Sequence, residues 1–319
     1  MPDRISLIIP VKNEEDSIAK LLDSVIGQSL TPDEVVITDG GSIDGTDEII
    51  ESYKRKGMPI QLIKANDSYP GKARNIAIKN AKYDMIAMTD AGIKLDKNWL
   101  KYLYRCVEED NGVDVVYGNY EPVTDSFFKE CLAVAFVPAP KLINGKKMRS
   151  HFIASSLMRK KVWESVGGFP DFRAAEDRIF MEKIKKGRFK TAYAPEATVL
   201  WDIPSNFSAV FKRFFLYSMH DIKAGRWRDW HQSVLVMYAF GLIIALLGVF
   251  NSPLWFILLL VGLASRALGL IFERRKDASL SDKLSIRGVT LVTAIMVWID
   301  IAMFCGIVDY FKHKLFGKE

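Results

Sequence analysis

Cysteine is scarce and scattered. Cys106, Cys131 and Cys305 lie far apart, are odd in number and never form a Cys-x-x-Cys pair. That excludes a disulfide framework and a cysteine-based zinc site. The N-terminal stretch MPDRISLIIPVKNEE has too short an apolar run for a signal peptide. The N-terminal part is therefore expected to stay in a reducing cytoplasm. Internal repeats and low-complexity tracts are also missing, and long apolar runs do not occur before about Gly225.

What is present divides unevenly. The chain of 319 residues is 49% hydrophobic and 26% charged, enough for one large α/β domain and a smaller appendage. Net charge is +6, with a pI near 9.0. Such a surplus suits nucleic acid, an anionic membrane surface or a pyrophosphate-bearing substrate. Because much of it flanks the apolar C-terminal third, membrane is favoured and nucleic acid is not expected.

Apolar runs of strand length alternate with helical patterns in the first half. Strands are expected at 6–11, 34–39, 60–65, 85–89 and 113–120, and later at 153–158. Helices are expected after Asn13, where Ile18, Leu21, Leu22, Val25 and Ile26 share a face, and at 46–56, 71–81, 97–109, 160–166 and 175–186. This alternation implies a parallel sheet with helices on both faces, with ligands bound at the C-terminal strand ends. Asp39 and Asp90 each follow a strand and so belong on that edge. Residues 121–150, with Pro122, Pro138 and Pro140, read as an irregular, mobile or membrane-touching insertion whose apolar patch is 131–137.

Three runs, 234–250, 254–272 and 289–311, are apolar enough to span a bilayer. Lys223, Arg226 and Arg228 precede the first, and Arg274, Arg275, Lys276, Lys283 and Arg287 separate the second from the third. The positive-inside rule puts both basic segments in the cytoplasm. It disfavours the outward placement of Lys312, Lys314 and Lys318 that a third crossing requires, so a re-entrant or tilted helix is the alternative there. Residues 206–224 read either as an amphipathic helix lying on the membrane or as a domain helix packed by its phenylalanines. Trp227 and Trp230 follow it. Arg266 and Asp300 fall inside apolar runs, where a charge is costly; pairing with each other or a protonated Asp300 would relieve that cost, and helix-to-helix contact is expected ahead of a role in acceptor lipid binding. The domains expected are 1–228, soluble and cytoplasmic, and 229–319, membrane-embedded.

Four short motifs carry chemistry: Pro10-Val11-Lys12-Asn13-Glu14, Asp39-Gly40-Gly41-Ser42, Gly71-Lys72-Ala73-Arg74-Asn75 and Thr89-Asp90-Ala91-Gly92. Taken singly, each is an ordinary turn or helix cap. In this order, and followed by Gly167-Gly168-Phe169-Pro170 and Glu176-Asp177, they resemble the family-two glycosyltransferases. The resemblance covers roughly residues 5–225. It implies the type-A nucleotide-diphospho-sugar transferase (GT-A, Rossmann-like) fold, followed here by the C-terminal helical membrane region.

The resemblance also implies roles. Pro10, Val11 and Glu14 would line the nucleoside pocket, and Asp39 would accept a hydrogen bond from the base. Arg74 would lie against base or phosphates. Asp90, with Ala91 beside it, begins the family's Asp-x-Asp motif for the donor and its metal, Mg²⁺ or Mn²⁺. Asp177, after Glu176, would be the general base, and attack from the opposite face would invert the anomeric centre. A carboxylate near a diphosphate has its pKa pushed upward, toward that of a useful base.

Three departures stand out. Gly92 replaces the second acid of Asp-x-Asp. Where relatives often carry a metal-binding histidine, this chain reads Val199-Leu200-Trp201-Asp202, and Asp202 is the candidate substitute as an oxygen ligand for the metal. The Gln-x-x-Arg-Trp motif of processive synthases is missing, which predicts a single sugar added per encounter. Lys212 and Arg213 are candidates for a donor diphosphate, a lipid phosphate or membrane headgroups. The resemblance thus points to a lipid or lipid-linked acceptor, with polyprenyl phosphate the simplest, and to a UDP donor ahead of GDP. A non-catalytic sugar-nucleotide-binding scaffold is the competing reading. A nucleotidyltransferase is disfavoured, because the loop Lys12-Asn13-Glu14-Glu15 is acidic rather than basic.

Overall fold

A computed structural model describes residues 3–143, 145–274 and 285–317. Arg275, Lys276, Lys283 and Lys318, used above for orientation, lie outside the described residues. In chain order the elements are β1 (Ile5–Val11), α1 (Ile18–Ile26), β2 (Glu34–Asp39), α2 (Thr46–Arg55), β3 (Ile60–Lys64), α3 (Pro70–Asn80), β4 (Met85–Met88), β5 (Ile93–Leu95), α4 (Trp99–Glu109), β6 (Val115–Pro122) and α5 (Phe127–Phe136). Then come β7 (Lys141–Ile143), β8 (Lys146–Met148), β9 (Ser156–Arg159), α6 (Lys160–Val166), α7 (Glu176–Lys186), β10 (Thr191–Trp201), α8 (Phe207–Lys223), α9 (His231–Phe250), α10 (Trp255–Arg274) and α11 (Ile286–Phe316).

The chain forms two compact units. The first comprises 1–123 and 140–202, the second 124–139 and 203–319. In packing terms the division therefore falls after Asp202 rather than near 228. The physical reason is apolar: α5 and α8 bury their faces against helices of the second unit.

Among the described residues of the first unit, eight strands form one sheet in the order β3-β2-β1-β4-β9-β6-β10-β5. β1, β2, β3 and β4 pair in parallel, as the alternation of strands and helices required. β1 is buried along its whole length, as expected of a strand covered on both faces. Ile18, Leu21, Leu22 and Val25 are the buried face of α1. The expectation of an all-parallel sheet is corrected in the second half, where β9 runs antiparallel to both β4 and β6 and β5 runs antiparallel to β10.

The long strand β10 was not anticipated. Pro195 interrupts its alternation, and the register shifts between Ala194 and Thr198. A proline inside a strand is accommodated at such an irregularity. The 121–150 segment is likewise more regular than expected. It contains α5 and the hairpin β7–β8, and 131–134 are buried rather than exposed to lipid.

In the second unit, α9, α10 and α11 are long and apolar enough to cross a membrane, by length and composition. Helix α11 has 31 residues, about 46 Å at 1.5 Å per residue, more than the ~30 Å of a hydrocarbon core. Helix α8 packs along it. The Ser218 hydroxyl donates to the Met303 carbonyl at 2.8 Å, and the Trp298 indole donates to the Phe207 carbonyl at 2.8 Å. Phe214 is buried beside Phe136 and Trp230. Much of the aromatic face of α8 is thus spent on neighbouring helices, as in the domain-helix alternative.

One polar cluster draws a residue from each long helix. Asp300 of α11, almost fully buried, is gripped by both terminal guanidinium nitrogens of Arg266 from α10 and accepts from Tyr238 of α9 at 3.0 Å. Removing one partner strands the other in an apolar setting. Asp300→Leu is expected to lower stability by about 2 kcal/mol, less than a fully buried pair because Arg266 is partly exposed. Arg266→Met combined with Asp300→Leu is expected to recover most of it. Thermal unfolding of the purified protein checks both values.

Candidate active site

Strand β1 ends at Val11, paired with Asp39 of β2, which is paired with Lys64 of β3. Thr89, just beyond β4, donates its N–H to the Ile8 carbonyl. The loops after these strands, carrying Asn13, Asp39 and Asp90, therefore share the C-terminal edge of the sheet.

Two of the loops interlock. The Asn13 N–H donates to the Ser42 hydroxyl at 2.9 Å, and the Ile43 N–H returns to the Asn13 side chain at 2.9 Å. The Glu14 N–H donates to Thr46 Oγ1 at 2.7 Å, and the Gly45 N–H to Glu15 Oε2 at 2.7 Å. Asn13 takes a left-handed backbone to make this exchange, a conformation asparagine tolerates better than most residues. Pro10 and Val11 are buried at the strand end, and Glu14 is half-buried in the loop. Asp39 is 1% exposed. Its Oδ1 accepts from the Ser42 N–H at 2.9 Å and the Ser42 hydroxyl at 2.6 Å, and its Oδ2 accepts from Lys64 at 3.2 Å.

The centre is Arg74, 3% exposed in the first half of α3. One nitrogen donates to Asp90 Oδ1 at 2.6 Å and another to Glu176 Oε1 at 3.0 Å. The guanidinium carbon lies 5.5 Å from the centre of the Phe169 ring, within range of a cation–π contact. Burial disfavours the Arg74 charge, but Asp90, Glu176 and Asp177 outweigh it and hold the guanidinium more firmly protonated than usual. Burial pushes the Glu176 carboxyl up to about 7, against the pull of Arg74 and with the help of Asp177. The carboxyl with the raised pKa is thus Glu176. Asp177 is half-buried in the first turn of α7, where its Oδ1 accepts from the Arg178 N–H at 2.7 Å.

Backbone constraints bring α3 and α7 together. A Cβ on Gly71 would lie 2.3 Å from the Pro170 carbonyl and 3.2 Å from the Glu176 side chain, so only glycine permits this approach. Asn75 ties the Gly168–Phe169 turn from both sides. Its Oδ1 accepts from Trp163 at 2.8 Å and the Phe169 N–H at 2.9 Å, and its Nδ2 donates to the Phe169 carbonyl at 2.8 Å. Phe169 stacks on Phe180 of α7 with ring centres 3.8 Å apart. Ala175, immediately before Glu176, has φ +68°, a left-handed conformation costing about 1–2 kcal/mol for alanine.

Gly92 has φ +75° and open space where a Cβ would point. Backbone conformation, not crowding, therefore disfavours an acid there. Its carbonyl accepts from the Asp202 N–H at 3.2 Å. The antiparallel pairing of β5 with β10 thus brings Asp202 back to the turn that follows Asp90 and Ala91. Among the described residues, no group of three or more His, Cys, Asp or Glu is arranged to hold a metal by itself.

The structure thus gathers Asp90, Arg74, Glu176 and Asp177, with Asp202 beside Gly92 and Asp39 on the same sheet edge. Lys212, exposed, and Arg213, half-buried, belong to α8 in the second unit. Asn75, Phe169 and Lys64 were not singled out from sequence. Asn75 and Phe169 had a signal, since each stands in one of the motifs that carry the resemblance. Lys64 had none until the β2–β3 register was known.

Residues 6–174 match the Glycosyl transferase family 2 domain. A poly(ribitol-phosphate) beta-glucosyltransferase of Bacillus spizizenii is 32% identical over 187 residues, 56% of this chain and 28% of the relative. The O-antigen chain rhamnosyltransferase RfbN of Salmonella typhimurium is 28% identical over 224 residues, 66% of this chain and 70% of that protein. The chain thus spans about a third or less of the poly(ribitol-phosphate) transferases it matches. Mannosyltransferase PcManGT from Pyrobaculum calidifontis, solved with GDP-Man and Mn²⁺, superposes with a TM-score of 0.63 at 18% identity, over 93% of this chain and 88% of that one. At that identity the likeness speaks for the GT-A fold alone. The family match covers more than half of the sequence, and the chain belongs to glycosyl transferase family 2.

Proposed function

We propose that the chain is a membrane-bound, inverting glycosyltransferase acting in cell-surface glycan synthesis. It moves one sugar per encounter from a nucleotide-diphosphate donor, UDP before GDP, to a lipid or lipid-linked acceptor such as a polyprenyl phosphate. The observation that carries this reading is the Arg74 bridge. It fixes Asp90, on the donor side, to Glu176, the neighbour of Asp177. Names of relatives that act on poly(ribitol phosphate) and O-antigen chains support a surface glycan. The apolar helices α9, α10 and α11 support a membrane anchor, with the first unit on the cytoplasmic side.

In this reading Pro10, Val11, Glu14 and Asp39 hold the nucleoside, while Asp90 and Ala91 face the donor sugar and diphosphate. Asp177 takes the acceptor proton as the acceptor oxygen attacks opposite the departing diphosphate, inverting the anomeric carbon. Glu176 keeps Arg74 in place. Lys212 and Arg213 contact an anionic phosphate or headgroup.

A divalent cation fits the oxygen donors at this turn. The Asp202 N–H bonds the carbonyl of Gly92, two residues after Asp90, and Mg²⁺ needs only one or two carboxylates when substrate phosphates complete its shell. Bound there, the cation would neutralise charge on the departing diphosphate.

Three measurements test the proposal. With membranes and a panel of nucleotide sugars, wild type is expected to release nucleoside diphosphate. Asp177→Asn is expected to cut that rate by about 10²-fold or more while nucleotide binding persists. Release from no donor would favour the scaffold reading. Asp202→Ala is expected to raise the Mn²⁺ concentration needed for half-maximal rate, and an unchanged value removes Asp202 from the metal site. For Glu176 the folded pKa, about 7, exceeds the ordinary 4.5. Its contribution to stability is therefore complete below the ordinary value and is lost as pH rises through about 7. Glu176→Gln cannot ionise, so its melting temperature is expected to fall less steeply than wild type between about pH 5 and about pH 8.

A further inference from the structure

We infer that Glu121, held in place by Arg149, reads the acceptor, and that the acceptor presents a hydroxyl-bearing sugar or polyol unit rather than a bare lipid phosphate. The inference rests on the glycosyltransferase reading. Of the acceptors named there, it selects the lipid-linked glycan.

Sheet register places Glu121. Met88 of β4 pairs with Ser156 of β9, which pairs with Tyr117 of β6. Asn119 therefore stands level with Asp90, and Glu121 stands one alternation further out. At about 4.8 Å between strands and ~3.3 Å per residue, Glu121 lies on the order of 10 Å across the sheet edge from Asp90 and about 7 Å outward of it. Its face is fixed as well. Tyr117 packs in one core with Phe169 and with Phe180 of α7. Alternation along β6 puts Glu121 on that same face, where α7 begins with Glu176 and Asp177. The side chain is both held and open. Arg149 is fully buried, and its Nε and Nη2 donate to a single oxygen, Oε2, at 3.1 Å and 2.6 Å. The Arg149 N–H is tied to the Asn119 side chain at 3.0 Å. Oε1 makes no hydrogen bond among the described residues, and 36% of the Glu121 side chain is exposed.

An ionised carboxylate only accepts hydrogen bonds. Sugar and polyol hydroxyls supply the donors that Oε1 can take. A phosphate monoester, with a second pKa of about 6, is mostly doubly ionised at neutral pH. It brings charge of the same sign and no hydrogen to share. The transfer step points the same way. The acceptor oxygen bonds to the anomeric carbon as the bond from that carbon to the diphosphate breaks, and the acceptor proton passes to Asp177. A hydroxyl has that proton to give. An ionised phosphate does not, and it leaves the base without a task.

A glutamate that merely neutralises Arg149 would set stability and leave acceptor kinetics alone. Transfer assays with the purified full chain and a panel of nucleotide sugars separate the two roles. The acceptors are octyl glycosides of glucose, N-acetylglucosamine and rhamnose, an octyl ether of ribitol, and farnesyl phosphate. Wild type is expected to use at least one hydroxyl-bearing acceptor with a kcat/KM at least about tenfold above that for farnesyl phosphate. Glu121→Gln keeps the shape and loses the charge. It is expected to raise the KM for that acceptor about tenfold while the KM for the donor stays as in wild type. If Glu121→Gln does not fold, Glu121→Leu combined with Arg149→Met serves, since removing both charges leaves no buried ion unpaired. The same acceptor defect is expected of it. An unchanged acceptor KM in the folded variant overturns the inference. So does a wild type that prefers farnesyl phosphate, or one that releases nucleoside diphosphate yet uses no hydroxyl-bearing acceptor. A wild type that releases nucleoside diphosphate from no donor overturns the glycosyltransferase reading itself, which is a separate result.

Discussion

The first unit is organised by a buried guanidinium. Taking Arg74 out of water is costly, and that cost is offset only by partners of opposite charge held in good geometry. Asp90 and Glu176 supply them from positions 16 and 102 residues away along the chain. Each partner needs its own scaffold. Asp90 is delivered by a parallel strand, and Glu176 by a helix whose approach depends on Gly71, Asn75 and the Phe169–Phe180 stack. An arginine suits this role because its planar fork reaches two carboxylates at once, which a lysine ammonium does less well.

The bridge also sets the charge balance. With both carboxylates ionised, the trio would carry a net negative charge in a buried setting. Burial and the neighbouring Asp177 instead push Glu176 up to about 7, so near neutrality part of the population holds that proton and the trio's excess negative charge is reduced. For the proposed reaction this matters because a diphosphate must approach the same region. Each negative charge removed there weakens the repulsion that the diphosphate meets.

The two halves of the first unit differed in how plainly they could be read. The segment from Ile5 to Met88 obeys simple rules: parallel strands, of which β1, β2 and β4 are fully buried, helices with one apolar face, and acids at the end of β2 and just after β4. Its pattern placed Asp39 and Asp90 on one edge without any knowledge of contacts. Beyond it, β10 carries Pro195 and a register shift, and β9 and β5 run antiparallel, so no local period announces them. The proximity of Asp202 to Gly92 follows only from that antiparallel return. Lys64 was hidden for a related reason: a residue becomes the neighbour of Asp39 through register, which depends on the whole sheet. The family resemblance pointed to Asp177, but it did not reveal that Glu176 would be the carboxyl most altered by its surroundings.

In the second unit the same physics runs with a different solvent. Long apolar helices have little hydrophobic reason to prefer one another when lipid surrounds them, so polar contacts and close packing must specify the arrangement. The Arg266–Asp300–Tyr238 cluster takes one residue from each of α10, α11 and α9. A slip of one helix by a single turn would move its member about 5.4 Å and break the set. Ser218 and Trp298 do the corresponding work between α8 and α11, each donating to a backbone carbonyl of the opposite helix. Sequence suggested the Arg266–Asp300 pairing because charge in an apolar run demands a partner. It did not reveal Tyr238, since a tyrosine in such a run demands nothing until its hydroxyl is buried. The two units thus share one rule. A polar group placed where water cannot reach it fixes the geometry around it, and its partners can be inferred from sequence only as far as that need is visible there.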